Sequence, residues 1–184
     1  GVVALFRHVD RKNEMQMDTI AEVFQISVER LWTAVRRLHD LEVVDLYENE
    51  VARISDQVLA TYLFHLAFFD QPALDPTRFF HPAFFPQYRS RLFDALNPAV
   101  SAFDGQTIVN AIRPPLRRRW KELEAAGDEQ TLLELANSFG TIEETATLTF
   151  LKERIDALPS EPVDPSTIAF KPAASSGITL WTIL

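Results

Sequence analysis

Cysteine is absent from the 184 residues, which excludes disulfides, thiolate metal sites, iron–sulfur clusters and a thiol nucleophile. Only five glycines occur, too few to supply much of a phosphate-cradling loop. The patterns GxxxxGK followed by Ser or Thr, GxGxxG, GxSxG, HExxH and the calcium loop are all missing. No apolar run reaches the roughly 18–20 residues that a membrane-spanning helix needs; the most hydrophobic stretch, residues 60–69, is interrupted by His65 and ends at Asp70. The opening residues lack the basic leader of a signal peptide. A cytoplasmic protein without membrane contact is therefore expected. Gly1 stands where a start would place Met, and the chain stops inside the apolar run 178–184; both ends read as those of a piece of a larger protein.

What is present is ordinary globular material: 47% hydrophobic and 24% charged residues, enough for a core. The net charge of −8 is unevenly spread. Residues 1–77 hold 7 basic and 13 acidic side chains, 78–121 hold 8 and 2, and 122–184 hold 3 and 11. The basic middle peaks at Arg113, Arg117, Arg118, Arg119 and Lys121. This run is a candidate anion or partner patch, or it pairs with acidic neighbours of the same chain, since Glu122 and Glu124 follow at helical spacing.

Periodicity predicts a mainly α fold. Residues 2–9 read as a helix, and 10–16 as a polar loop. Asp18 suits an N-cap for a short helix carrying Ile20, Val23 and Phe24, which ends near Gln25. Ser27 caps a longer helix whose apolar stripe is Val28, Leu31, Trp32, Val35, Leu38 and Leu41. Residues 43–47 and 51–54 then read as two strands around the polar turn Glu48-Asn49-Glu50. Helix, short helix, turn, longer helix and hairpin is the order of a winged helix-turn-helix.

After it, an N-cap at Ser55 or Asp56 opens an apolar helix with Val58, Leu59, Tyr62, Leu63, Leu66 and Phe69 on one face. Phe64 and Phe68 serve a second partner, so the helix should be covered nearly all round. Four prolines forbid a long helix over 71–86, which its phenylalanines anchor. Helices are expected over 87–96, over 107–113 continuing or restarting through 116–126, over 128–139 and over 142–158. Turns fall at Gly105, Gly127 and Gly140. The domain expectation is a winged helix with connecting helix over 1–70, an α-helical bundle or helical-hairpin array over 71–158, and an extended, Pro- and Ser-rich segment or linker over 159–184, with a strand possible at 178–184.

The four histidines share no i,i+3 or i,i+4 spacing, so no metal site is expected, and His65 reads as a hydrogen-bonded core residue. Glu143 and Glu144 sit where carboxylates favour a helix N-terminus, which accounts for them without catalysis. No catalytic residue and no cofactor are expected. A nucleic-acid reading rests on the second helix of the helix-turn-helix, which would present Glu29 with Arg30, Thr33, Arg36 and Arg37 to a groove. The acidic hairpin tip and the local charge of −6 oppose it.

The run TIAEVFQISVERLWTAVRRLHDLEVVDLYENEVARISDQVLATYLFHLAFF resembles the winged-helix region that follows the nucleotide-binding domain in STAND-type, NACHT-like P-loop NTPases. Its most specific part is ARISDQVLATYL, where a hairpin strand runs directly into a helix that leads to a helical array. The resemblance implies a non-catalytic fragment of a signalling or defence ATPase. Its winged helix would pack against other domains of the parent chain and take part in switching, with helices downstream that meet a partner protein. It carries over no phosphate-loop or sensor residue, and no equivalent of the winged-helix histidine that contacts nucleotide in some relatives. The alternative is a DNA-binding transcriptional regulator whose C-terminal helices dimerise or bind an effector. A helical hydrolase has only scattered carboxylates behind it.

Overall fold

A computed structural model describes residues 1–158, and the expected extended segment 159–184, with its possible strand, lies outside them. The described chain is mainly helical with one small antiparallel sheet. It divides into two compact units, the first Gly1–Leu116 and the second beginning at Arg117.

The first unit opens with α1 (Val2–Phe6), all five residues of which are buried. The helix expected over residues 2–9 stops here, because Arg7 takes a positive φ of 65° and His8–Asp10 continues as strand β1. The polar loop is correspondingly short. Asn13, not Asp18, caps α2 (Glu14–Phe24) by accepting the Gln16 amide N–H, so Asp18 lies inside the helix. Asn is as good a cap as Asp, and the apolar residues Met15 and Met17 extend the helix one turn upstream of the Ile20 stripe.

Gln16 explains how β1 persists as a three-residue strand. Its buried side-chain amide donates to the His8 carbonyl at 3.1 Å and accepts the Asp10 N–H at 2.8 Å. It thus satisfies backbone groups that an edge strand leaves open.

Gln25 turns the chain through the left-handed region at φ 57°, and Ser27 accepts the Arg30 N–H to cap α3 (Val28–Asp40). Leu31, Trp32 and Val35 are buried as expected, whereas Leu41, placed at the end of the same stripe, lies past the helix and is 65% exposed. The chain then forms β2 (Asp45–Tyr47) and β3 (Val51–Arg53), joined by the three residues 48–50, of which Glu48 and Asn49 take positive φ to reverse the chain. The sheet order is β1-β3-β2, with Val9 and Leu46 both opposite Ala52. Strand alternation sends Val9 and Ala52 into the core and leaves His8, Arg53 and Asp45 on the other face.

Asp56 caps α4 (Gln57–His65), which widens into a π-helical turn over Leu66–Asp70. The buried side is Thr61, Phe64 and Phe68; the expected all-round cover is incomplete, since Val58 is 79% and Tyr62 48% exposed. His65 is half-buried and stacks on Phe103 with ring centres 3.9 Å apart, so ring contact takes the place of the expected core hydrogen bond. A 3-10 turn (Pro76–Phe80) follows, and Phe79, Phe80, Phe84 and Phe85 are buried anchors, as their spacing among prolines implies.

Helix α5 (Phe85–Ala102) is longer than the expected 87–96: it starts with Pro86 in its first turn, kinks at Tyr88 and continues through Pro98. Edge-on aromatic contacts bind these elements together. Phe6 meets Phe24, Phe84 and Tyr88 at 6.3, 5.7 and 4.8 Å, and Phe24 meets Phe68 at 6.1 Å. Such pairs add about 0.5–1.5 kcal/mol each beyond area burial.

Helix α6 (Gly105–Ala126) runs unbroken through Pro114 and Pro115, so the possible restart does not occur, and Gly105 opens the helix rather than sitting in a turn before it. Two adjacent prolines remove the donors that would reach the carbonyls of Asn110 and Ala111. The division between compact units falls just past these missing rungs, after Leu116.

The second unit contains the rest of α6, α7 (Glu129–Phe139) and α8 (Glu144–Asp156). Gly127 turns the chain at φ 68°, and Asp128 caps α7. Gly140 is required by proximity: a Cβ there would lie 2.4 Å from the Ala136 carbonyl oxygen. Trp120 packs edge-on against Phe150 at 5.7 Å, and Leu123, Leu132, Leu135, Phe139 and Leu151 are buried in the same unit.

Candidate partner-binding surface

The side chains singled out on α3 all reach solvent. Arg30, Thr33, Arg36 and Arg37 are exposed, while Leu31, Trp32 and Val35 hold the opposite side in the core. The Thr33 hydroxyl donates back to the Glu29 carbonyl at 2.8 Å, which satisfies it within the helix. Among the described residues Arg30, Arg36 and Arg37 have no ion-pair partner. Three guanidiniums are thus presented by one helix with its backbone rigidly held.

The hairpin tip is fastened beside this helix. Trp32, on the inward side of α3, donates its indole N–H to the Asn49 carbonyl at 2.9 Å, and the Arg11 guanidinium lies over the same ring, 5.7 Å from its centre. Glu50 takes Lys12 as an ion-pair partner, and the Arg11 N–H donates to the Glu50 carbonyl at 2.8 Å. The carboxylates of Glu48 and Glu50 therefore flank a point fixed to α3, and the nearest lysine is already engaged.

An apolar groove of about 460 Å³ adjoins the other flank of α3. Leu31, Ala34 and Leu38 of α3 form one wall, Leu63 and Leu74 another, and Arg30 stands at its margin.

The second candidate patch is partly consumed by pairing within the chain. Arg117 makes a two-pronged contact with Glu143, its Nη2 3.0 Å from Oε1 and its Nε 3.2 Å from Oε2, and Glu143 is buried. The Glu143 carboxylate therefore answers a guanidinium as well as standing at the start of α8, a role its sequence position does not reveal. Arg119 pairs with Glu122 at 3.2 Å, the i,i+3 contact anticipated from spacing. Arg118 and Lys121 remain exposed, and Arg113 is half-buried in the first unit.

Sequence reasoning overlooks a further feature of the first unit. A cleft of about 490 Å³ gathers Arg7, Arg53 and Arg91 with His8, Tyr47 and Asp94. Strand alternation marks Arg53 as outward-facing, but no sequence signal brings Arg91 of α5 to the same place. Among the described residues no group of three or more His, Asp or Glu side chains could hold a metal ion, and no helix is long and apolar enough to cross a membrane. No protein-family model, curated protein or solved structure matches this chain.

Proposed function

We propose that the chain is a non-catalytic regulatory module that engages protein, with Gly1–Ser55 acting as a winged helix whose α3 face docks onto other domains of a larger switching ATPase or onto a signalling partner. The element order α1-β1-α2-α3-β2-β3 and the sheet order β1-β3-β2 support the winged-helix reading. The observation that carries the choice of protein over DNA is the tie between Trp32 and Asn49. It holds the acidic hairpin tip against the helix that would have to enter a groove. A wing that meets duplex DNA lies along phosphates, and every carboxylate there subtracts from the counterion-release term that dominates affinity.

The groove supports the same reading, because its lining is mostly apolar with Arg30 among it, and apolar surface beside polar groups is how protein interfaces are built. The matching partner surface offers an aliphatic or aromatic side chain flanked by carboxylates. Site-specific photo-crosslinking from positions 33 and 37 of the full-length protein in cells tests this. Mass-identified protein adducts are expected, and adducts confined to nucleic acid would refute it.

A DNA-binding regulator remains the second reading, favoured by one observation: Arg30, Arg36 and Arg37 have no ion-pair partner among the described residues. Unpaired guanidiniums on an exposed helix are also what base and phosphate contacts require.

A further inference from the structure

The cleft in the first unit is a cationic site built from two segments of opposite charge. Arg7 and Arg53 come from residues 1–77, which carry 13 carboxylates and 7 basic side chains, and Arg91 comes from the basic stretch 78–121; all three line one cavity whose lining includes a single carboxylate, Asp94. Among the described residues, none of the three guanidiniums has an ion-pair or hydrogen-bond partner. Asp45, directly across the sheet from Arg53, accepts the hydroxyl of Ser55, itself a lining residue, and leaves the Arg53 guanidinium without an ion pair. Arginines that only serve solubility have no reason to share a concavity, since their mutual repulsion is strongest where water is displaced.

Three separate elements place them. Arg7 leaves α1 at φ 65°, a backbone state that costs a non-glycine residue about 1–3 kcal/mol and is concentrated at ligand-gripping positions. Arg53 stands on the outward register of β3, opposite His8, and Arg91 comes from α5. Val3, Ala4, Phe64 and Ala95 give the wall an apolar part, beside the polar Ser55, Gln57 and Thr61. At about 490 Å³ the space is that of a small-molecule site.

We propose that this cleft binds a small organic phosphate ester, its phosphate held by Arg7, Arg53 and Arg91 and its carbon part lying on the apolar wall. Phosphate suits the arrangement better than carboxylate. Its terminal oxygens are tetrahedrally disposed and accept from several guanidinium forks at once, whereas a carboxylate offers two oxygens in one plane. Three guanidiniums against Asp94 and the neighbouring Asp45 leave the cleft net positive, a charge that a phosphate anion offsets. This proposal stands apart from the reading of α3, and the failure of either leaves the other intact.

Isothermal titration with phenyl phosphate and with inorganic phosphate, at fixed ionic strength, tests it. Phenyl phosphate should bind saturably and at least about five-fold more tightly than inorganic phosphate, because the ring removes apolar wall from water. Arg53→Gln and Arg91→Gln should each weaken phenyl phosphate about ten-fold or more, the effect of deleting a charge-assisted hydrogen bond. Arg53→Lys should recover part of the loss, and circular dichroism should report an unchanged fold in all three. The double variant Arg36→Gln/Arg37→Gln, which removes twice the charge elsewhere, should bind normally. Absence of saturable binding, equal affinity for the two phosphates, or an equal loss in the Arg36/Arg37 variant would overturn the assignment.

Discussion

Trp32 joins α3 to the hairpin, so replacing it measures how firmly that union is made. The indole is 1% exposed, donates to the Asn49 carbonyl at 2.9 Å and carries the Arg11 guanidinium on its face. Trp32→Phe keeps an aromatic ring for Arg11 but removes the N–H and part of the buried surface. The lost hydrogen bond is worth about 1 kcal/mol, and Asn49 is exposed enough for water to take over its carbonyl. With the missing ring atoms, the expected cost is about 1–2 kcal/mol. Trp32→Ala also opens a cavity, and about 3–5 kcal/mol is expected. Against a typical total of about 5–15 kcal/mol the second change is severe. Urea unfolding followed by far-ultraviolet circular dichroism reads both, with the slope against urea unchanged in the Phe variant. The Ala variant should also free the hairpin tip, so that limited proteolysis newly cuts around residues 48–50. Losses below about 0.5 kcal/mol in both variants, the range of an ordinary surface substitution, would refute the reasoning.

Gln16→Leu should cost about 1–3 kcal/mol in the same assay, because it strips the His8 carbonyl and the Asp10 N–H of their partner in a partly buried place. In the second unit, Arg117→Ala should cost about 1 kcal/mol in urea unfolding, because it withdraws a two-pronged guanidinium contact from the buried Glu143 carboxylate, after discounting for the 57% exposure of the arginine. Asp104 and Asp128 are held below the ordinary carboxylate value of 3.8, first of all by the hydroxyls of Thr107 and Thr131. Their contribution is therefore fully present above 3.8 and is lost as pH falls through the lower folded values. Melting temperatures of wild type and the Asp104→Asn/Asp128→Asn variant should converge as pH drops below 3.8.

Much of the first fifty-odd residues is legible because period and punctuation agree. Ser27 before an apolar stripe and a polar turn between two β-branched stretches each have one physical solution, and both elements form. Strand β1 was not legible. Three residues give no measurable alternation, and what holds them is the distant strand β3 on one edge and the Gln16 amide, six to eight positions downstream, in addition. Of the two courses the sequence leaves open at Pro114 and Pro115, the helix takes continuation rather than restart, because burial of Ile112, Leu116 and Trp120 along α6 outweighs two lost hydrogen bonds. The α3 surface could be anticipated, since exposed positions on an amphipathic helix follow from the buried ones. The Arg7–Arg53–Arg91 cleft could not, because it joins a helix end, a strand face and a distant helix.

The central claim is that α3 and its hairpin face protein rather than phosphate. Fluorescence anisotropy of labelled duplex DNA, titrated with the full chain across a salt series, tests it most directly. The account predicts no saturable binding at physiological salt and no difference between wild type and the Arg36→Ala/Arg37→Ala variant at low salt. Saturable binding that falls steeply with salt, and that the double variant weakens with a shallower salt slope, would contradict it.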